Sequence, residues 1–366
     1  MNPVSIRLLS QQLVAPQYSR PEEVVAHFGA IQAQEYRMMR WAVGMRTRRP
    51  SEASFTKAFN EGRIVRLHLL RGTWQLVAAE DYAWMLMLAA PKAKQVISGW
   101  MSSNKIVIPE RELLSVRELL VDVAQRSMSS TREDFEAALA EQGIMMDSHR
   151  LSYHIRFAEL DGVLCSGDLL PMKATYALTS RKLGTTAYPQ SGIDRDEALK
   201  LLAQKYFQSH QPATLEDFAW WSGLGICDCR RGISLLGNSL HEERCKGRSL
   251  YLLDGCRTRG FRKGATLLIP PYDEYLIGYK SRDLVLAPHL SHHAHNNSGI
   301  FQPVIANDGH ICGNWSPFAR EKESFSIFDP EHAPADPSSL DEAWSAFTSF
   351  RNRSSCTCRR SDSPFA

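Results

Sequence analysis

Two stretches of the chain repeat one pattern of polar and apolar residues. "STREDFEAALAEQGI" and "ATLEDFAWWSGLGI" align at Thr131 with Thr214, Asp134 with Asp217, and Phe135 with Phe218. A threonine followed three residues later by an acid predicts a helix N-cap with a carboxylate in the first turn. A glycine then ends each predicted helix, at Gly143 and Gly225. A second helix follows in both stretches and ends at Gly162 and near Gly237.

Extended apolar segments follow each second helix, "VLCSGD" with "ATYALTS" and "LHEERCKGRSLYLLD" around Lys246-Gly247. The N-terminal stretch fits a third copy. "RPEEVVAHFGAI" has proline at the first helical position, "SEASFTKAFNEG" gives another helix, and "RIVRLHLLRGTWQLVA" predicts two strands around Arg71-Gly72. Short helix, turn, second helix and hairpin form the helix-turn-helix plan with a wing.

The pattern changes after Lys263. "ATLLIPPYDEYLIGY", "DLVLAP", "GIFQPVIANDGHICGNW" and "FSIFD" predict short strands, with Asn307-Asp308-Gly309 as a hairpin turn. A helix is expected from about Ser339, and the tail "RNRSSCTCRRSDSPFA" is expected to be disordered. The predicted fold class is α+β, with three tandem winged-helix modules and a C-terminal antiparallel β-domain. The boundaries are 1–105, 106–190, 191–262 and 263–366.

Composition is typical of a soluble globular protein, with 43% hydrophobic and 23% charged residues among 366. The start lacks the apolar run of a signal peptide, and "YAWMLMLAAP" is too short to span a bilayer. We therefore expect a cytoplasmic monomer. Eight cysteines without a C-x-x-C pair favour buried thiols. "PHLSHHAHNN" lacks carboxylates and helical ligand spacing, which favours a solvated loop over a metal site. No metal or cofactor is predicted.

Charge is distributed unevenly although the net charge is only +3. Nine basic residues between Arg37 and Arg71 face two acids, and nine between Cys227 and Lys263 face four. Such windows suit a polyanion, because each phosphate contact releases condensed counterions. A merely solvated basic face is the alternative.

Six motifs, taken in order, carry a resemblance to a known family. They are "GAIQAQEYRMMRWAVGMR", "RLHLLRGTWQLVAAEDY", "AELDGVLCSG", "KYFQSHQPATLEDFAWWSGL", "LIPPYDEYLIGY" and "GIFQPVIANDGHICGNW". Together they resemble the bacterial winged-helix DNA glycosylases of the AlkZ type, from about Val4 to Phe328. That family unhooks alkylated interstrand crosslinks and underlies self-resistance to azinomycin. The resemblance implies a C-shaped concavity of DNA size.

The family's catalytic motif, two glutamines around an apolar residue, falls on Gln32-Ala33-Gln34. A sister branch has aspartate at the second position, so Gln34 favours the crosslink-resistance branch. An alkylated, cationic purine is already an activated leaving group and needs no general acid. An amide oxygen can hold the attacking water and face the positive charge of the transition state. Residues two apart on a helix point apart, so the two glutamines can share one pocket only if the helix from Pro21 ends or distorts between Ile31 and Glu35.

The first hairpin is the second element that the resemblance highlights. Its matching positions are Arg66, His68, Arg71, Thr73 and Trp74, and we expect them to contact DNA together with Arg37 and Gln75. Gln75 stands where relatives usually carry histidine. Alternation along a strand places Arg66 and His68 on one face, which suits a phosphate-facing edge. Core packing is the alternative for Trp74.

Two further motifs are interpreted as structural. Asp273 and Glu274 are adjacent, so on a strand they face opposite sides and form no paired acid site. Trp220 and Trp221 are expected in the core of the third module. The sequence thus predicts a monofunctional DNA glycosylase that acts on double-stranded DNA carrying N7-alkylguanine, N3-alkyladenine or crosslinks. The alternative is a non-catalytic winged-helix regulator. The sequence does not decide which lesion is the natural substrate, or whether the protein serves self-resistance or general repair.

Overall fold

The structure, a computed structural model, describes residues 2–184, 192–245, 247–318 and 325–352. Within these ranges no helix combines the length and apolar character needed to cross a membrane. The predicted disordered tail lies almost entirely outside the described residues.

The first repeat follows helix α1 (Pro3–Ser10) and places two helices between its strands. Its elements are α2 (Pro21–Phe28), β1 (Ala30–Gln32), α3 (Met39–Gly44), α4 (Glu52–Asn60), β2 (Ile64–His68) and β3 (Trp74–Ala78). The strands form an antiparallel sheet in the order β1-β3-β2. A long helix, α5 (Ala79–Ser103), leads out of this sheet.

The second and third repeats have the same order of elements. The second contains α6 (Glu110–Arg126), β4 (Ser130–Thr131), α7 (Arg132–Glu141), α8 (Ser148–Leu160), β5 (Leu164–Ser166) and β6 (Thr175–Leu178), followed by α9 (Thr179–Leu183). The third contains α10 (Arg195–His210), α11 (Leu215–Ser222), α12 (Ile226–Leu236), β7 (Leu240–Cys245) and β8 (Arg248–Leu253). In the third, a single bridge from Ala213 to Tyr251 replaces the first strand.

The aligned threonines act as the sequence predicts. Thr131 and Thr214 each cap a helix, and in each case the acid three residues later accepts a hydrogen bond from the threonine backbone N–H, at 2.7 and 3.0 Å. One predicted helix end is wrong. Gly223, in a left-handed conformation, ends α11, whereas Gly225 is the N-cap of α12.

The C-terminal part is built on a four-stranded antiparallel sheet in the order β12-β11-β10-β9. The strands are β9 (Thr266–Ile269), β10 (Val304–Asn307), β11 (His310–Trp315) and β12 (Phe325–Ile327), with helices α13 (Glu274–Ile277), α14 (Ser291–Ala294) and α15 (Ser338–Asn352). The turn between β10 and β11 and the last helix were predicted. "DLVLAP" is not a strand, because Val285 and Leu286 reach the core from a turn.

Helix α1 belongs to this C-terminal core although it stands at the other end of the sequence. Val4 and Leu8 pack in one cluster with Tyr275 and Ile311. Gly309, in the β10–β11 turn, approaches the same two α1 side chains so closely that a Cβ atom would collide with them. The sheet is therefore closed on one face by a segment from the start of the chain.

Candidate active site

Gln32 lies at the end of a strand, as the geometry of the motif requires. Helix α2 ends at Gly29, whose φ of 80° suits glycine, and a Cβ there would lie 2.8 Å from Met85 Cε. Strand β1 follows directly, with Gln32 as its last residue. The helix thus stops before the motif, as predicted. Gln32 is buried and Gln34 is exposed.

The side chain of Gln32 is held by three donors from the first hairpin. Its Oε1 accepts hydrogen bonds from Arg71 Nη2 at 2.9 Å, Thr73 Oγ1 at 3.2 Å and Gln75 Nε2 at 2.7 Å. A guanidinium can only donate, so Arg71 fixes which end of the Gln32 amide faces the hairpin. Arg71 and Gln75 alone fill the two lone pairs of this oxygen, since the single Thr73 hydroxyl proton can instead go to the Leu70 backbone oxygen at 3.0 Å. The Gln32 oxygen is therefore fully used within the protein.

Arg71 points into the protein rather than away from the hairpin. Its φ is 57°, and its guanidinium also donates to the backbone oxygen of Trp221. Burial lowers the pKa of Arg71 below its ordinary value. The sequence motif thus brings together Gln32, Arg71, Thr73 and Gln75, but in one internal network.

The buried carboxylate of Glu274, which the sequence predicts to be structural, lies behind Gln32. Glu274 Oε1 accepts the Gln32 backbone N–H at 2.6 Å. Its Oε2 lies 3.0 Å from Trp221 Nε1 and 3.2 Å from His210 Nε2. The expectation of a strand here is wrong, because Asp273 caps helix α13 and Glu274 begins it.

Glu274 is an anion at neutral pH. Burial pushes its pKa upward, but the hydrogen bond from His210 and the charge of Arg71 hold the pKa below its usual value. Burial also lowers the pKa of His210, so the imidazole is neutral and acts as a hydrogen-bond donor. A fixed negative charge therefore lies directly behind the backbone of Gln32.

The turn that carries Glu274 is held by a buried ion pair. Arg46 Nη2 and Nη1 donate to the two oxygens of Asp273 at 2.7 and 2.9 Å, and both side chains are almost inaccessible to solvent. Arg46 is one of the nine basic residues between Arg37 and Arg71 whose pattern suits a polyanion. Its guanidinium instead binds Asp273 inside the protein, so Arg46 is not available to phosphate.

Arg66 and His68 are also buried. Arg66 Nε donates to the Ala33 backbone oxygen at 3.1 Å, and its guanidinium carbon lies 3.6 Å from the centre of the half-buried Trp74 ring. His68 Nδ1 lies 2.5 Å from Glu159 Oε2 on α8. Strand β2 therefore does not present these two side chains at an open edge.

Arg37 remains near the surface, three residues beyond Gln34. Its Nε lies 3.1 Å from Glu35 Oε1, and its guanidinium carbon lies 3.6 Å from the centre of the Phe318 ring. Glu35, the carboxylate adjacent to Gln34 in sequence, is not among the site residues that the sequence predicts. Its position next to the glutamine motif is the sequence feature that could have identified it.

The histidine-rich segment forms a short 3-10 turn and helix α14 rather than an irregular loop. In the described part of the chain, the side chains that lie close enough together to hold one metal ion are elsewhere, at Asp329, Glu331 and His332. The histidine segment contributes no residue to that group.

Glu159 gives a pH prediction for stability. Burial raises its pKa to about 8, so the folded state keeps a proton that the unfolded chain loses near its ordinary value of 4.5. The contribution of Glu159 to the free energy of unfolding should therefore fall as the pH rises from about 5 to 8, whereas buried histidines with a lowered pKa, such as its partner His68, contribute a rise. The slope of the free energy of unfolding against pH should accordingly be more positive in Glu159→Gln than in the wild type, as measured by urea denaturation across the range.

The control is Glu133→Gln. Glu133 is exposed, and its hydrogen bond with Lys173 lowers its pKa to about 2. Any effect of Glu133 on the pH dependence lies below the tested range. A Glu159→Gln protein with the wild-type slope would show that Glu159 does not retain its proton on folding.

Comparisons with known proteins agree over nearly the whole chain. The family model described as "DNA glycosylase AlkZ-like" matches residues 25–350. An interstrand DNA cross-link repair glycosylase from Streptomyces sahachiroi is 22% identical over 326 residues, covering 85% of this chain and 86% of that protein. The solved structure of Streptomyces sahachiroi DNA glycosylase AlkZ has the same fold, with a TM-score of 0.75, 20% identity and 96% of each chain covered.

Proposed function

Since the chain belongs to the AlkZ-like DNA glycosylase family and is thus an N-glycosidic bond hydrolase, we propose that its substrates are cationic alkylated purines in double-stranded DNA. These are N7-alkylguanine and N3-alkyladenine, including purines joined in interstrand crosslinks. The observation that carries this proposal is the glutamine pair at and just beyond the end of β1, with the buried Glu274 carboxylate accepting the Gln32 backbone N–H. The regulator alternative is not favoured by the family.

The two glutamines have different tasks in the proposed reaction. The carbonyl of Gln34 is exposed and accepts a hydrogen bond from the attacking water. The Gln32 carbonyl is saturated by side chains of the first hairpin, so Gln32 anchors the segment from which Gln34 projects. A rigid support of this kind holds the water in attacking geometry at the anomeric carbon.

Glu274 supplies electrostatic stabilisation rather than proton transfer. Its oxygens are occupied by the Gln32 backbone and by Trp221 and His210, and it has no exposed surface. Its negative charge favours the cationic base and the oxocarbenium-like transition state. A water that attacks such an activated bond needs orientation more than it needs a strong base.

We further propose that the three repeats are winged-helix modules that cradle one duplex, with boundaries at 105, 190 and 262 as the sequence predicts. Arg37 contacts the phosphate backbone in this proposal, and Arg71 supports Gln32. Thr73, Gln75, Arg66, His68 and Trp74 hold the hairpin against the motif. The protein acts as a cytoplasmic monomer and needs no cofactor.

The test is release of free base from a panel of defined lesions. Duplexes with N7-methylguanine, N3-methyladenine or a mustard crosslink should each lose the modified base, whereas a regulator would release none. The rate should change little between about pH 6 and 8, because the proposed mechanism uses no titrating base. A rate that rises tenfold per pH unit would show that a titrating base does the work.

A further inference from the structure

The tip of the first hairpin, the turn Leu70–Gly72, lies between two tryptophans. A Cβ atom on Gly72 would lie 3.2 Å from Cη2 of Trp100, near the end of α5. On the other side, a Cβ atom on Gly223 would lie 2.9 Å from Arg71 Cγ. Gly223 ends α11, the helix that carries Trp220. Both helix ends therefore pack directly against the tip.

These two tryptophans are exposed, which large aromatic side chains seldom are without a partner. Trp100 is 38% exposed and Trp220 is 41% exposed. The expectation that Trp220 lies in the core is wrong, since only its neighbour Trp221 is buried. The indole N–H of Trp220 donates to the Ile277 backbone oxygen at 2.9 Å, which fixes the ring in its exposed position.

Each exposed ring has a guanidinium beside it. The Arg156 Cζ atom lies 5.6 Å from the centre of the Trp100 ring, and the Arg282 Cζ atom lies 5.5 Å from the centre of the Trp220 ring. Arg71 itself points inward to Gln32. The surface at the tip thus offers aromatic faces with adjacent cations, the combination that binds unpaired nucleotides.

We propose that Trp100 and Trp220 stack on nucleobases that lose their neighbours when the damaged nucleotide leaves the duplex. This inference rests on the proposed function, since it takes DNA as the ligand. Every base has a π-face, so the contact does not depend on sequence. Stacking would offset part of the cost of separating bases beside the lesion.

The test compares two undamaged duplexes of equal length, one fully paired and one with an unpaired internal loop. Trp100→Ala and Trp220→Ala should each weaken binding to the looped duplex by about tenfold, and binding to the paired duplex by less than about twofold. The slope of affinity against salt should stay unchanged, because no phosphate contact is removed. Trp→Phe at each position should keep most of the affinity.

The matched control is Met145→Ala, which removes an apolar side chain that is 91% exposed on the second repeat. It should change binding to neither duplex. Equal losses on both duplexes, or a correctly folded Trp→Phe variant as weak as Trp→Ala, would overturn the stacking role. Base release is scored separately. If binding prefers the looped duplex and this preference depends on the two tryptophans, but no base is released, only the proposed function is wrong. If base is released but binding shows no such preference, only this inference is wrong.

Discussion

Gln34→Ala is expected to slow release of N7-methylguanine by about a hundredfold, the scale seen when one positioned hydrogen-bonding group is removed from an active site. The Gln34 side chain is exposed, so its removal should leave the fold in place. Affinity for undamaged duplex should therefore change by less than about twofold. Single-turnover rates with saturating protein, together with equilibrium binding, measure the two quantities.

Gln34→Glu and Glu35→Gln are the matched controls for this prediction. Gln34→Glu should retain activity, because a carboxylate also accepts a hydrogen bond from water and faces positive charge. Glu35→Gln removes the adjacent carboxylate and should leave the rate within about threefold of the wild type. If Glu35→Gln slows base release as much as Gln34→Ala does, Glu35 is the base and the amide mechanism is wrong.

Gln32→Ala should also slow base release, but through a different cause. Its removal leaves the three donors of Arg71, Thr73 and Gln75 without their common acceptor. The hairpin should then lose its fixed position. A double variant, Gln32→Ala with Gln34→Ala, should be little slower than the slower single variant, because both changes disable one water site.

Asp273→Ala is expected to lower the free energy of unfolding by about 3–5 kcal/mol, since it leaves the charge of Arg46 buried without its partner. Both side chains of this pair are almost completely buried. The measurement is urea denaturation followed by circular dichroism. Base release by the protein that remains folded should also slow, because Asp273 caps the helix that begins with Glu274.

The comparison for this prediction is an exposed ion pair. The Lys173 Nζ and Glu133 Oε1 atoms are 2.7 Å apart, and both side chains are more than half exposed. Lys173→Met should leave the free energy of unfolding nearly unchanged, because solvent screens an exposed ion pair. A loss from Asp273→Ala as small as that from Lys173→Met would mean that the Arg46 charge finds solvent or another partner, and that the turn does not depend on the pair.

Local sequence patterns predict most of the helices and strands. They do not predict contacts between residues that are far apart in the sequence. Thr131 and Thr214 cap helices because the capping pattern is contained within four residues. The hydrogen bond from Gln32 to Glu274 joins residues 242 positions apart, and no local pattern encodes it. The same holds for Arg46 and Asp273, which are 227 positions apart.

The pattern of charged residues did not predict which arginines are exposed, for a related reason. A run of arginines has the same composition whether its members face solvent or bind buried acceptors. Arg66 and Arg46 are buried, whereas Arg48 and Arg49 are exposed. The glutamine pair itself came from the family resemblance, since two neutral amides carry no chemical signature of their own. The role of Glu274 does not follow from "YDEY", because the same residues fit a strand, whereas aspartate is also a common helix cap.

The placement of α1 in the C-terminal core determines an order of events during synthesis. Val4 and Leu8 leave the ribosome roughly 300 residues before Gly309 and Ile311, a delay of about 15–60 s at ordinary elongation rates. A helix of eight residues is not stable alone, and the Val4 and Leu8 side chains stay uncovered until the C-terminal residues that pack on them have been made. A nascent chain halted before β10 would therefore keep this apolar face open to chaperones.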